Sequence, residues 1–596
     1  NASYNAGLYR LETNYTNLAD GTYDYTAYTQ DLAGNLNNTE TRTVTIDTVN
    51  PNIYFVPPTP TNDTSTANTS IQINVSITEA NLDEVKFNWN GTNYTIFNDS
   101  LILMMNFDNV SALGENDTYV VDISGSGNNG TAYGGTVLNL TGGKFGGAFE
   151  FDGVDDYLDI DTNWANLTSE TYSAWIYPTN GSRTLMRIFY KANNPYTTYT
   201  PVISVQNSTG NARSIIVEQE TNSDYARWDS EENVITYNAW NHVVVTFDKN
   251  NLSKNDISIY VNGRNLSITV DDPAIGNNIS NDDGYKLYLS YDPGFPGLYK
   301  FEGKIDEPRV WNRTLSASEI QQLYFTNLNK YDTDKWLLYV NQSKNSTDGL
   351  DDGVYTYFAS AKDDTGNENQ TYMRTLTVDT IYPTITITSP ENQTYNTNSI
   401  WFNVTLNETG SWCGYSLDGA ANVTMDGSGT TWYKENSTMT EGSHNVIFSC
   451  NDTTGNMNAS AITEYFTVDT TKLSLTDTSD SQTAYANYTL FKANYTYGSN
   501  SINGSGTWCE FRFNKTGLTW DKYSAVNMSF NSSSGLYEII ADGGYIQNAT
   551  ETHIDGMPYG NYSWNVSCYN DLGYGNLSVI DAIEVSLYST DLAIEN

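Results

Sequence analysis

The chain is 596 residues long with a formal net charge of −42, although only 16 % of its residues are charged. So negative a surface repels nucleic acid and anionic membrane and excludes both as partners. With 46 Tyr and 13 Trp it is too aromatic for a disordered chain, and no run of 18 apolar residues offers a membrane-spanning helix.

The chain opens on Asn1 with neither initiator Met nor signal peptide, which reads as a mature protein or a piece of a longer one. Three stretches, "DLAGNLNNTETRTVTIDT" (31–48), "DDTGNENQTYMRTLTVDT" (363–380) and "NDTTGNMNASAITEYFTVDT" (451–470), each read as an Asp/Gly/Asn turn followed by a last strand. They mark the ends of repeated β-modules. Residues 1–50 match only the second half of such a module: "LADGTYDYTAYTQDLAGN" (18–35) runs in register with "LDDGVYTYFASAKDDTGN" (350–367). Half a sandwich leaves an open core and an unpaired edge, to be completed by upstream sequence or by a neighbouring molecule.

The next module starts at 51. In "IQINVSI", Ile71, Ile73, Val75 and Ile77 alternate with polar residues, the period of a strand buried on one face. After the second strand region (84–97) the module breaks off and resumes near Trp336, so it comprises 51–100 plus 327–381. Modules of 382–470 and 471–588 follow, and 589–596 is a tail or the start of a next strand. With turn signals every 8–12 residues, modules of about 90 residues are expected to be seven-stranded Ig-like sandwiches, and their short linkers, two of them proline-containing, predict a stiff tandem array.

The insert, 101–326, has different wording. It contains "LMMNFDN" (103–109), "DISGSGNNGTAYGG" (122–135), "GKFGGAFEFDGVDDYLDI" (143–160), "WNHVVVTFD" (240–248), "DISIYVNGR" (256–264) and "GKIDEPRVWNRTLSASEIQQLY" (303–324). "YVNGR" places Asn262-Gly263 at a type I′ hairpin, and the capping box "SASE" predicts a single helix over about 317–324. In order and spacing these motifs resemble the LamG, or concanavalin A-like, jelly-roll domains of archaeal and bacterial surface proteins. The fold class is therefore all-β: tandem Ig-like sandwiches with an inserted concanavalin A-like domain.

Domains of this kind often hold a structural calcium. The resemblance implies Asp122, Asn128 and Asp306 as its ligands, calcium taking six to eight oxygens; the alternative for the glycine-rich loop is an Asx-turn without an ion. Carbohydrate binding is likewise implied by fold analogy alone. Against catalysis, the alternating carboxylate strand of the related glycosidases is missing, although "EQE" (218–220) has the alternation; His242 reads as a packing or hydrogen-bonding residue.

All four cysteines lie in the last two modules on apolar strand faces. Module logic favours Cys413 with Cys450 and Cys509 with Cys568 among three pairings; a zinc site is disfavoured by the lack of Cys-x-x-Cys and of a nearby His. About 40 of roughly 73 Asn residues stand in Asn-x-Ser/Thr, an excess that strand alternation alone does not explain. N-linked glycans are expected on outward strand positions and turns, among them Asn74, Asn403, Asn565, Asn90 and Asn312. The expectation is a non-enzymatic extracellular structural or adhesive protein, a filament or surface-layer subunit that forms a homo-oligomer or polymer. The alternative is a glycan-binding adhesin or accessory region of a larger secreted enzyme.

Overall fold

A computed structural model describes the chain apart from residues 1, 6–7, 12–13, 180–183, 194–198, 208–212, 221–224, 249–256, 273–280, 296–297, 342–348, 459–461, 472, 478–482, 485–487, 498, 503–506, 516–525, 543–544, 548–559, 570–576 and 586–596. The tail at 589–596 thus lies outside the described residues. Almost everything described is antiparallel strand, and the chain divides into two compact units at Ile381/Tyr382, residues 453–456 belonging to the first.

In the first unit, the interrupted module is a sandwich of two sheets. One runs Thr326–Lys330, Lys335–Val340, Ile71–Thr78, Asn52–Val56; the other runs Thr92–Phe97, Leu82–Trp89, Gly353–Asp363, Arg374–Val378, Thr64–Thr66. Trp336 is paired with Val75 across the insertion. The even-period apolar residues read from the sequence close this core: Ile73, Val75, Phe87, Trp336, Tyr357 and Leu376 are all buried. Trp89 stacks on Tyr355 with ring centroids 5.0 Å apart.

The insert is a larger sandwich of an eight- and a nine-stranded sheet. Asn262 and Gly263 both take positive φ (53° and 74°), the type I′ geometry, and the helix Ala317–Phe325 is capped by Ser316 and Glu319 in a reciprocal box. The insert is not hung on the host by its ends alone. Leu101, Met104, Val244, Trp311, Ile320 and Leu323 belong to the same apolar cluster as the host module's core, and Trp311 Nε1 donates to Ile96 O at 3.4 Å.

In the second unit, Ile385–Ser389, Ile400–Leu417, Gly442–Asp452 and Ile462–Val468 pair in sequence around Phe402, Val404, Tyr415 and Phe448. Cys413 is joined to Cys450, directly opposite it, and Cys509 to Cys568 in the following module.

Candidate functional site

The outer face of the host sheet carries two rows of directly opposed residues, Asn327–Tyr339–Gln72 and Asn329–Leu337–Asn74. Alternation sends these side chains away from the sandwich core, yet the insert covers much of the face. Between them lies a cavity of about 470 Å³ lined by Gln72, Asn327, Asn329, Tyr331 and Tyr339 on the host side and by Asp108, Lys144, Phe145, Gly146 and Tyr324 on the insert side. The size is that of an ordinary small-molecule site.

The insert's wall is the loop Gly-Gly-Lys-Phe-Gly-Gly, 142–147. A Cβ on Gly147 would stand 2.2 Å from the Phe107 carbonyl oxygen, so glycine is required for the close approach. Asp306 fastens the same loop, its Oδ2 accepting from the backbone N–H groups of Lys144 (2.9 Å) and Phe145 (3.1 Å). Lys144 Nζ then lies 4.5 Å above the Trp175 ring, Trp175 stacks on Tyr324 at 5.6 Å, and Phe145 meets Tyr339 at 5.6 Å.

Beneath the floor runs a polar network. Asp108 Oδ1 accepts from Gly147 N at 2.7 Å and its Oδ2 from Asn329 Nδ2 at 2.7 Å, while Asn329 Oδ1 accepts from Asn106. Glu307 pairs with Arg309 at 2.7 Å and accepts from Asn327 Nδ2 at 2.7 Å. Burial pushes the Glu307 carboxyl up to about 7 despite the guanidinium beside it, and burial together with the Glu307 charge pushes Asp306 well above the carboxylate range. Phe107, Asn109 and Glu307 hold positive φ (57°, 55° and 51°) around this network, a concentration of backbone strain of the kind that collects at binding sites.

The residues expected to share a cation do not share a network. Asp122 Oδ1 accepts from the N–H groups of Met104 and Ser124, and its Oδ2 from Ser124 Oγ and Asn128 N. Asn128 Oδ1 accepts from Asn163 N, and its Nδ2 donates to Ile102 O. The loop is closed as an Asx-turn by donors that fill the carboxylate's lone pairs. These two residues, as arranged, do not fit a calcium shared with Asp306, whose bonds run to the 144–145 loop. Asp306 Oδ1 meets no donor among the described residues.

His242 is 2 % exposed, 2.9 Å from Ser173 Oγ through Nε2 and packed on Trp175; burial, with Arg309 and Lys144 nearby, pulls its pKa down to about 3. Glu218 of the "EQE" segment pairs with Arg187 at 2.8 Å.

Of the expected glycan positions, Asn90 and Asn312 are exposed and Asn403 is half-buried. The side chain of Asn565 lies outside the described residues. Asn74 needs correction. It is 4 % exposed and its Nδ2 donates to Tyr331 Oη at 3.1 Å. Its strand face is outward from the sandwich but covered, so no glycan fits there. Sequence reasoning missed the cavity altogether; the Phe145 loop and the Asn/Tyr alternation at 327–339 were its only local signals.

A family model for the concanavalin A-like lectin/glucanases superfamily matches residues 152–321. No curated protein matches the chain. Among solved structures, the chain is similar to the CBM40 module of a Ruminococcus gnavus sialidase bound to alpha2,3 sialyllactose (17 % identity, 26 % of this chain and 80 % of that one, TM-score 0.22). It is also similar to the fibronectin(III)-like modules of Clostridium thermocellum CbhA (15 % identity, 36 % and 100 %, TM-score 0.19). Residues 152–321 thus match a concanavalin A-like domain, as the motifs suggested, within a chain that is almost entirely β among the described residues.

Proposed function

We propose that this chain is an extracellular adhesive protein that binds carbohydrate, without turning it over, in the cavity between the concanavalin A-like domain and its host sheet. The observation that carries the reading is the composition of the cavity lining. Phe145, Tyr324, Tyr331 and Tyr339 line it with aromatic rings suited to the apolar faces of a sugar, and Gln72, Asn341 and Lys144 line it with polar groups suited to its hydroxyls, while Asn327, Asn329 and Asp108 are tied into the network described above. Asp108 is the sole carboxylate among the described lining residues, whereas glycoside hydrolysis ordinarily uses two flanking the scissile bond. The two disulfides accord with an oxidising compartment.

The test is a glycan array followed by calorimetric titration of the best ligand. Tyr339→Ala and Phe145→Ala are each expected to weaken binding by roughly 30-fold, the effect of truncating an aromatic anchor. Absence of any bound glycan, or unchanged affinity in both variants, overturns the assignment.

A further inference from the structure

Burial sets one lysine apart among the described ion pairs. The side chains of Lys191 and Asp282 are 0 % and 2 % exposed, with Lys191 Nζ 2.7 Å from Asp282 Oδ2, whereas every other paired lysine is at least 20 % exposed. Lys191 Nζ lies 5.2 Å from the centre of the Trp164 ring, and Trp164 belongs with Tyr172 to the insert's apolar core. An ion pair so placed loses in desolvation much of what its attraction returns, so stability alone is a weak reason for it. We propose, independently of the carbohydrate reading, that the pair is a site of covalent self-modification: the Lys191 amine and the Asp282 carboxyl condense to an amide and release one water.

The hydrogen bonds around the pair are those an amide keeps. Lys191 Nζ donates to Trp164 O at 3.2 Å, and Asp282 Oδ1 accepts from Asn166 N. Loss of Oδ2 disturbs neither bond, because the amide N–H retains Trp164 O and the amide oxygen retains the Asn166 N–H. That N–H also stands at the oxygen on which negative charge develops when Cγ is attacked, the place of an oxyanion-hole donor. A second buried carboxyl is at hand. Glu170 is 0 % exposed and its Oε2 accepts from Tyr172 Oη at 3.2 Å. Burial, followed by the charges of Glu170 and Asp282, pushes the Tyr172 hydroxyl well above its ordinary value, so both carboxylates lie near it.

The step balances without a co-reactant. In so dry a site burial favours the neutral forms of both groups, and the ammonium passes one proton to the carboxylate along the 2.7 Å hydrogen bond. The amine lone pair then attacks Cγ, one bond beyond Oδ2. The C–N bond forms, the Cγ–Oδ2 bond breaks, and Oδ2 leaves as water with the transferred proton and a second proton from the nitrogen. Folding holds the two groups in contact, which replaces a bimolecular encounter. The bond ties the strand Leu185–Ala192 to the segment entering Lys286–Leu289, its neighbour in the nine-stranded sheet, and joins residues 91 positions apart. The insert contains no cysteine, so the amide does there what the disulfides do in the last two modules: it restricts the unfolded chain.

The test is peptide mass spectrometry of the full chain, made in a host that adds no N-glycan, then denatured, reduced and digested with trypsin. The expected product joins the peptides 188–213 and 265–286, is uncut after Lys191, weighs one water less than their sum, and fragments to place the link between Lys191 and Asp282. Ring closure at Asp283-Gly284 also loses a water but leaves the two peptides separate, so it is not mistaken for the bond. Lys191→Met and Asp282→Ala are each expected to abolish the joined peptide. A wild-type chain that trypsin cuts after Lys191, with Asp282 in a separate peptide, overturns the proposal and leaves the pair a buried salt bridge; so does a joined peptide that persists in either variant.

Discussion

Asn74 and Asn90 carry the same three-residue signature, but one is covered and the other sits at an exposed turn with φ 49°. Expressed in a host that N-glycosylates, the chain is expected to carry glycan at Asn90 and Asn312 and none at Asn74, which peptide mass spectrometry checks. Glu307 makes a pH prediction. Its folded value, raised to about 7 from 4.5, means the folded state keeps a proton that the unfolded state releases between those values. The contribution of this group to stability is therefore fully present below pH 4.5, falls as the pH rises toward about 7, and changes no further above it. Glu307→Gln is expected to remove that slope from the melting temperature measured across the window.

Single elements set the next level. The loop 142–147 exists in this form because Gly147 admits the Phe107 carbonyl; Gly147→Ala is expected to cost about 2 kcal/mol by forcing the backbone apart and to abolish glycan binding, read together by thermal melting and titration. The strands around Cys413 and Cys450 are already paired opposite each other, the cysteines being separated by 37 positions in sequence. The chain-entropy model gives that disulfide roughly 4 kcal/mol, so Cys413→Ala/Cys450→Ala is expected to lower the melting of the 382–470 module by that amount and leave the first unit unchanged. The helix Ala317–Phe325 was legible residue by residue from its capping box, and the Asn262-Gly263 turn from its dipeptide, because both signals are local.

At the scale of the molecule, the insert and the host share one apolar cluster through Trp311, Ile320 and Leu323. Trp311 is 1 % exposed, and Trp311→Ala is expected to cost about 3–5 kcal/mol and to lower the melting of both domains together in calorimetry; a drop confined to one of them would mean that the domains fold separately. Sequence alone determined the all-β class and the concanavalin A-like region, since each rests on periodicities and turn residues close together along the chain. Tertiary structure alone decided that the 142–147 loop meets the outward face at Gln72 and Tyr339, and that Asp306 serves that loop rather than the Asp122 turn. Those residues are as much as 267 positions apart (339 minus 72), and no local pattern records which outward face another domain will cover.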